Sequence, residues 1–160
     1  MISFSDLHAT YDGAEILHGI SADFPAGKVS VIMGPNGCGK STTLRSLVRI
    51  VPEMSGALSM DGQDLSALSP QELARRISYM PQSRNVPDIT VERLVLHGRF
   101  PYLSYPRRYR KEDRDKVSQA LEWVGLSALR ERKMENLSGG QRQKAYLAMV
   151  MAQEIGRAHV

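Results

Sequence analysis

The residues best able to do chemistry are consecutive: Gly34-Pro35-Asn36-Gly37-Cys38-Gly39-Lys40-Ser41-Thr42. They follow the apolar run Val29-Ser30-Val31-Ile32-Met33 and precede Thr43-Leu44-Arg45-Ser46-Leu47-Val48, which reads as a helix. Strand, glycine-rich turn and helix form the context that a phosphate-binding P-loop requires. Gly34, Gly37 and Gly39 let the backbone bend so that successive N–H groups face a polyphosphate. They do so at a helix N-terminus that already favours anions. Lys40 adds a cation for the β- and γ-phosphates, and the Ser41 hydroxyl is placed to ligate Mg²⁺. Three glycines with Lys-Ser at full spacing set this stretch apart from an incidental glycine-rich turn. The expected ligand is a nucleoside triphosphate.

A second glycine pair lies in Leu137-Ser138-Gly139-Gly140-Gln141, ahead of the helix formers Arg142-Gln143-Lys144-Ala145-Tyr146-Leu147-Ala148-Met149. A hydroxyl and two glycines at a helix N-terminus make another anion site. Taken alone, the tetrapeptide from Ser138 to Gln141 is also what an ordinary helix N-cap looks like. Tyr11, on pattern alone, is an aromatic at a strand end. Cys38 is a small residue in the loop whose thiol the helix N-terminus could activate.

The elements that must hold these groups follow from periodicity and punctuation. Residues 2–7 and 16–24 alternate as short strands across the turn-rich Tyr11-Asp12-Gly13-Ala14. Ala57-Leu58-Ser59-Met60 reads as a strand and Asp61-Gly62 as a tight hairpin turn. Ser69-Pro70-Gln71-Glu72 opens a short helix ending near Arg76, and Ile77-Ser78-Tyr79-Met80 reads as a strand running into Pro81-Gln82. Residues 90–97 resume helical spacing up to Gly98, and an aromatic, proline-bearing loop fills 100–106. Residues 111–124 form an amphipathic helix with Val117, Leu121 and Val124 on one face and Gly125 at its end. No repeat, low-complexity tract or heptad run interrupts this order, and His8, His18 and His97 lack metal-ligand spacing.

Composition narrows the class. The 160 residues are 42% hydrophobic and 24% charged, as in a soluble globular domain. No apolar run approaches the ~20 residues of a membrane-spanning helix, and the first residues lack a signal peptide's pattern. Any membrane role is expected to come through a partner. Cys38 is the one cysteine, which excludes an internal disulfide and suits a reducing cytoplasm. The net charge of +4 concentrates in Arg107-Arg108-Tyr109-Arg110-Lys111, but Glu112, Asp113 and Asp115 follow at once. Such mixing reads as a solvated surface, and no nucleic acid partner is expected.

Taken together, the two motifs resemble the ATP-binding subunit of an ABC transporter, over residues 1–153. Residues 34–42 match that family's Walker A motif, Gln82 its Q-loop glutamine, and 137–141 its signature. By position, Tyr11 matches the aromatic that stacks on adenine. The stretches from Ser69 to Gln82 and His97-Gly98-Arg99-Phe100-Pro101-Tyr102 are similar to subunits serving iron-siderophore, haem and cobalamin importers.

The resemblance implies an α/β P-loop NTPase fold: an antiparallel β subdomain, a RecA-like core, and an α-helical signature subdomain at about 84–145. It implies MgATP bound by Tyr11, Gly34, Pro35, Asn36, Gly37, Cys38, Gly39, Lys40, Ser41 and Thr42, with Ser41 and Gln82 toward the metal. Lys40, Gln82 and Ser138 carry the catalytic roles. It further implies a head-to-tail dimer of ATPase subunits, in which Ser138, Gly139, Gly140 and Gln141 of one copy reach the ATP of the other. Permease subunits would contact residues 83–105, and a substrate-binding protein would act indirectly. The expected place is the cytoplasmic face of the membrane.

The family's next element is an apolar strand ending in Asp-Glu, the Walker B acid and the general base. Here the chain instead reads Glu154-Ile155-Gly156-Arg157-Ala158-His159-Val160. These seven residues can be back-translated into a common sequencing-adapter read-through. The expectation is therefore a domain incomplete at its C-terminus with a non-native tail over 154–160, poorly soluble and weak or inactive in hydrolysis alone. The competing readings are a soluble family member acting on ribosomes or DNA, and a nucleotide-binding module without turnover.

Overall fold

A computed structural model describes residues 1–80 and 86–153. The chain divides into two compact units, Met1–Leu73 and Ala74–Val160, each described by itself.

The first unit is built on an antiparallel sheet of order β2-β1-β3-β4. β1 (Ile2–Tyr11) and β2 (Ala14–Phe24) meet at Asp12 and Gly13, whose φ angles of 49° and 77° are those of a type I′ turn. β3 (Glu53–Met60) and β4 (Gln63–Asp64) repeat the device at Asp61-Gly62, with φ of 52° and 78°. This twist-matched turn joins each pair of strands. The predicted alternation holds only in part, because the register of β1 against β2 shifts between Phe4 and Leu7, Leu7 and Ala9, and Ala9 and Thr10. One face of β1 carries Phe4, Leu7 and Ala9 into the core with Leu17 and Leu58. Register shifts at residues 4–9 bend β1, and β3 crosses there at Gly56, where a Cβ would stand 2.2 Å from the Asp6 carbonyl oxygen.

Beside that irregularity a carboxylate lies between two imidazoles. Glu15 Oε1 is 2.6 Å from His8 Nδ1, Glu15 Oε2 is 3.1 Å from His18 Nδ1, and Asp6 Oδ1 is 3.2 Å from His8 Nε2. The hydrogen bond to Glu15 raises the His8 pKa above its ordinary value, and the same bond lowers that of Glu15.

After β2 the chain runs irregularly to α1 (Lys40–Leu47), an early start to the predicted helix. Residues 29–33 do not form the predicted strand: Val29, Val31 and Met33 are 94%, 74% and 86% exposed. Apolar pattern records what a strand would bury, but a strand also needs a neighbour for its N–H and C=O groups. Among the described residues no strand pairs with this stretch. Residues 77–80 likewise form no strand, for the same reason.

Across the boundary, α2 (Pro70–Arg76) begins as predicted. Glu72 accepts hydrogen bonds from the Ser69 N–H at 2.8 Å and its hydroxyl at 2.6 Å, while Ser69 Oγ accepts from the Glu72 N–H at 3.3 Å. The second unit packs α3 (Val91–His97), α4 (Lys111–Trp123) and α5 (Gly139–Ala152) around one core. Val91 and Val95, Val117 and Leu121, and Ala145 and Ala148 present the apolar stripe of each helix, as the 3.6-residue spacing requires. Thr90 caps α3, accepting from the Arg93 N–H at 3.3 Å.

Two outcomes check this packing. Leu121, 1% exposed, anchors the three-helix core. Leu121→Ala is expected to cost about 2–5 kcal/mol of unfolding free energy in urea, without changing Walker A geometry. For the hairpin cluster, a His8 pKa raised above 6.5 means its bridge contributes fully below that pH and is lost as pH rises through the folded value. The lowered Glu15 pKa means the carboxylate's share is lost only on acidification past its folded value. An NMR titration is expected to place His8 above 6.5 and Glu15→Gln to return it toward that value. An unchanged midpoint in the variant would contradict the assigned cause.

Candidate nucleotide-binding site

The P-loop forms where the sequence puts it, and its glycines are there for definable reasons. Gly37 and Gly39 have φ of 84° and 89°, the left-handed region that side chains resist. Gly39 is also the N-cap of α1, and a Cβ there would lie 2.7 Å from Leu17 Cδ2 and 3.4 Å from the Ile16 carbonyl oxygen. The second strand of the sheet therefore abuts the loop at a residue that cannot grow. Leu17 escaped sequence reading, since nothing in its own alternation marks it as the loop's support.

α1 has no acid in its first turn and no side chain capping its N-terminus. The donors of a first helical turn need partners, and the helix dipole biases that partner toward an anion. Lys40 reinforces the bias: its Nζ donates to the carbonyls of Gly34 at 2.9 Å and Pro35 at 2.6 Å, and lies 3.7 Å from Cys38 Sγ. The lysine thus spans its own loop and holds a cation over the turn. Ser41 is exposed one residue on, while Thr43 Oγ1 and Ser46 Oγ bond back to Gly39 and Thr42 carbonyls at 3.1 and 3.0 Å. A cavity of about 360 Å³ opens beside the helix, lined by Lys40, Ser41, Leu44, Leu47, Phe24, Ser30 and Ile32. The cavity's lining is mostly apolar; it is the loop itself, with its backbone donors, the Lys40 ammonium and the exposed Ser41 hydroxyl, that fits a polyphosphate with its divalent cation.

Tyr11, half-buried, ends β1 at the hairpin turn, on the same hairpin whose second strand touches Gly39. Gln82 lies outside the described residues.

In the second unit, Ser138 is the N-cap of α5 and its side chain is engaged within the chain. Ser138 Oγ accepts from the Gln141 N–H at 3.3 Å, and Gln141 Oε1 accepts from the Ser138 N–H at 3.0 Å. The capping reading of this motif is thus correct as far as the hydroxyl and the amide go. It leaves Gly139 and Gly140 unexplained. Neither has a positive φ, and a Cβ on either would meet nothing within 4 Å. Glycine loses more backbone freedom in a helix than alanine does. No described part of this chain requires it.

Comparisons with known proteins give the family. The family model described as ABC transporter matches residues 17–155. The ferric enterobactin transport ATP-binding protein of Escherichia coli is 41% identical over 145 residues, covering 90% of this chain and 54% of that protein. A probable siderophore transport system ATP-binding protein of Bacillus subtilis is 38% identical over 154 residues, covering 96% of this chain and 56% of that protein. The chain spans about half the length of the curated relatives it matches. Among solved structures, a metal-chelate type ABC transporter in an inward-facing conformation aligns with a TM-score of 0.77 at 28% identity. That alignment covers 96% of this chain and 56% of the other. A nucleotide-free ATP-binding cassette aligns with a TM-score of 0.76 at 25% identity, over 95% and 64%. The P-loop on its small antiparallel sheet and the capped glycine pair on a helical bundle are parts of one known cassette, and the chain belongs to the ABC transporter family.

Proposed function

We propose that this chain is the first part of an importer's ATPase subunit, and that the uncapped N-terminus of α1 under Lys40 receives the phosphates of ATP. The loop amides and the Lys40 ammonium would hold the β- and γ-phosphates, and Tyr11 would stack on the adenine. Ser41, with Gln82, would hold Mg²⁺, which when bound supplies charge neutralisation at the phosphates. The bare glycines at 139 and 140 support an external partner for the signature. Two copies set head to tail would place Ser138, Gly139, Gly140 and Gln141 of one against the nucleotide of the other. No atom of the described residues crowds those positions, so steric demand within this chain does not account for them.

The cargo class rests on relatives named for siderophore and ferric enterobactin transport, which favour an iron chelate. No helix among the described residues is long and apolar enough to cross a membrane. Contact with the bilayer would therefore run through permease subunits, with the chain peripheral at the cytoplasmic face. Residues 83–105 offer the surface: Val86 is 40%, Phe100 46% and Tyr105 97% exposed. Ser83, Arg84 and Asn85 of that range lie outside the described residues.

Lys40→Ala is expected to weaken nucleotide binding by about tenfold to a hundredfold, the worth of a charge-assisted hydrogen bond. Titration with a fluorescent ATP analogue checks this, and an unchanged affinity would remove Lys40 from the site. For the whole protein, reconstitution with its permease in vesicles is expected to show ATP turnover that rises with iron-chelate-loaded binding protein. Turnover indifferent to the loaded binding protein, or responsive to RNA or DNA instead, would contradict the importer reading.

A further inference from the structure

The signature helix is held at the end opposite its signature, by groups the nucleotide site does not use. The carbonyls at the C-terminus of a helix have no intrahelical partner. In α5 two of them are captured from outside. Arg99 Nη1 donates to the Ala152 carbonyl at 3.0 Å, and the Tyr102 hydroxyl donates to the Gln153 carbonyl at 2.8 Å. The Gln153 side chain then reaches a third segment. Its Oε1 accepts from Ser78 Oγ at 2.6 Å, and its Nε2 donates to the Ala74 carbonyl of α2.

The grip is stiff. Arg99 and Asp113 are 5% and 6% exposed and paired at 2.9 Å, and Asp113 also accepts from the Arg110 N–H at 2.9 Å. A buried ion pair so placed fixes geometry more than it adds stability. The Arg99 guanidinium lies 4.2 Å from the centre of the Tyr102 ring, and Arg75 Nε donates to the Pro101 carbonyl at 2.8 Å. Gly98 has no room for a side chain, since a Cβ would stand 2.2 Å from the Met149 carbonyl oxygen. Three segments, 74–78, 98–102 and the start of α4, therefore close on the last turn of one helix.

We infer that Gln153 is a positioning residue that makes α5 a lever between the stem leading to Gln82 and the signature. Ser78 stands four residues before Gln82, and α5 is 14 residues long. At 1.5 Å per residue a shift at its gripped end reaches Ser138 about 20 Å away, because a capped and packed helix moves as a rigid body. The Gln153 amide is the contact that ties the stem to that end, with a hydroxyl on one side and a backbone carbonyl on the other. A displacement of 74–78 thereby re-aims Gly139 and Gly140.

This rests on the importer reading, in which permease contact and turnover are coupled. The test uses the full-length protein assembled with its permease and compares wild type, Gln153→Leu and Ser78→Ala. Gln153→Leu keeps side-chain volume and loses both bonds; Ser78→Ala removes one hydroxyl and serves if the first variant does not accumulate. ATP affinity is expected to stay at the wild-type value in both. The ratio of permease-stimulated to unstimulated turnover is expected to fall about fivefold or more in Gln153→Leu, and by less in Ser78→Ala. A ratio kept at the wild-type value, even with turnover lowered throughout, would overturn the lever, since a merely structural loss lowers both rates alike. A wild type that the permease does not stimulate would overturn the importer reading and the lever together; a stimulated wild type with equally stimulated variants would overturn the lever alone.

Discussion

Every helix N-terminus leaves amide donors that something must satisfy, and the two ways this chain does so set what it can bind. At α5 one of these donors, the Gln141 N–H, is met from within, by the reciprocal box of Ser138 and Gln141. At α1 no side chain caps the helix, and the residues around its start carry a lysine and no acid. On the proposed reading, that asymmetry makes α1 the anion site and α5 a preformed edge. The rest of the fold serves these two ends. Ile16 and Leu17 of the sheet buttress Gly39, and the helical core holds α5 along its length.

Rigid support is concentrated where helix ends meet chain segments distant in sequence. The Arg99–Asp113 pair and the Gln153 side chain gather parts of the second unit onto one helix terminus. Apolar residues could have filled the same volume, but they would not have aimed Arg99 and Tyr102 at two particular carbonyls. Polar grips of this kind trade stability for defined geometry. On the proposed reading, a helix that presents glycine amides in one orientation needs that definition.

Local chemistry was readable in the sequence where a single short stretch contains both the demand and its answer. The P-loop glycines, the Asp12-Gly13 and Asp61-Gly62 turns, and the caps at Ser69 and Ser138 are all of this sort. The failures share the opposite property. Val29, Val31 and Met33 carry a buried strand's pattern, yet a strand is a property of pairs, and no described strand pairs with them. Arg99 and Asp113 each look like ordinary surface charges until the fold brings them together. Gln153 finds Ser78 and Ala74 across more than seventy positions, a distance over which no local pattern speaks. The contacts of His8 with Glu15 and Asp6 likewise form only once the hairpin folds.

The central claim is that the phosphate site at α1 and the glycine edge at α5 meet the same nucleotide from two copies of the protein. The direct measurement is the mass of the full-length protein by analytical ultracentrifugation, with MgATP held under non-hydrolysing conditions. The account predicts a monomer without nucleotide, a dimer holding two ATP molecules with it, and an ATP-loaded monomer for Gly139→Arg. A wild-type protein that saturates with ATP and stays monomeric at every accessible concentration would contradict it.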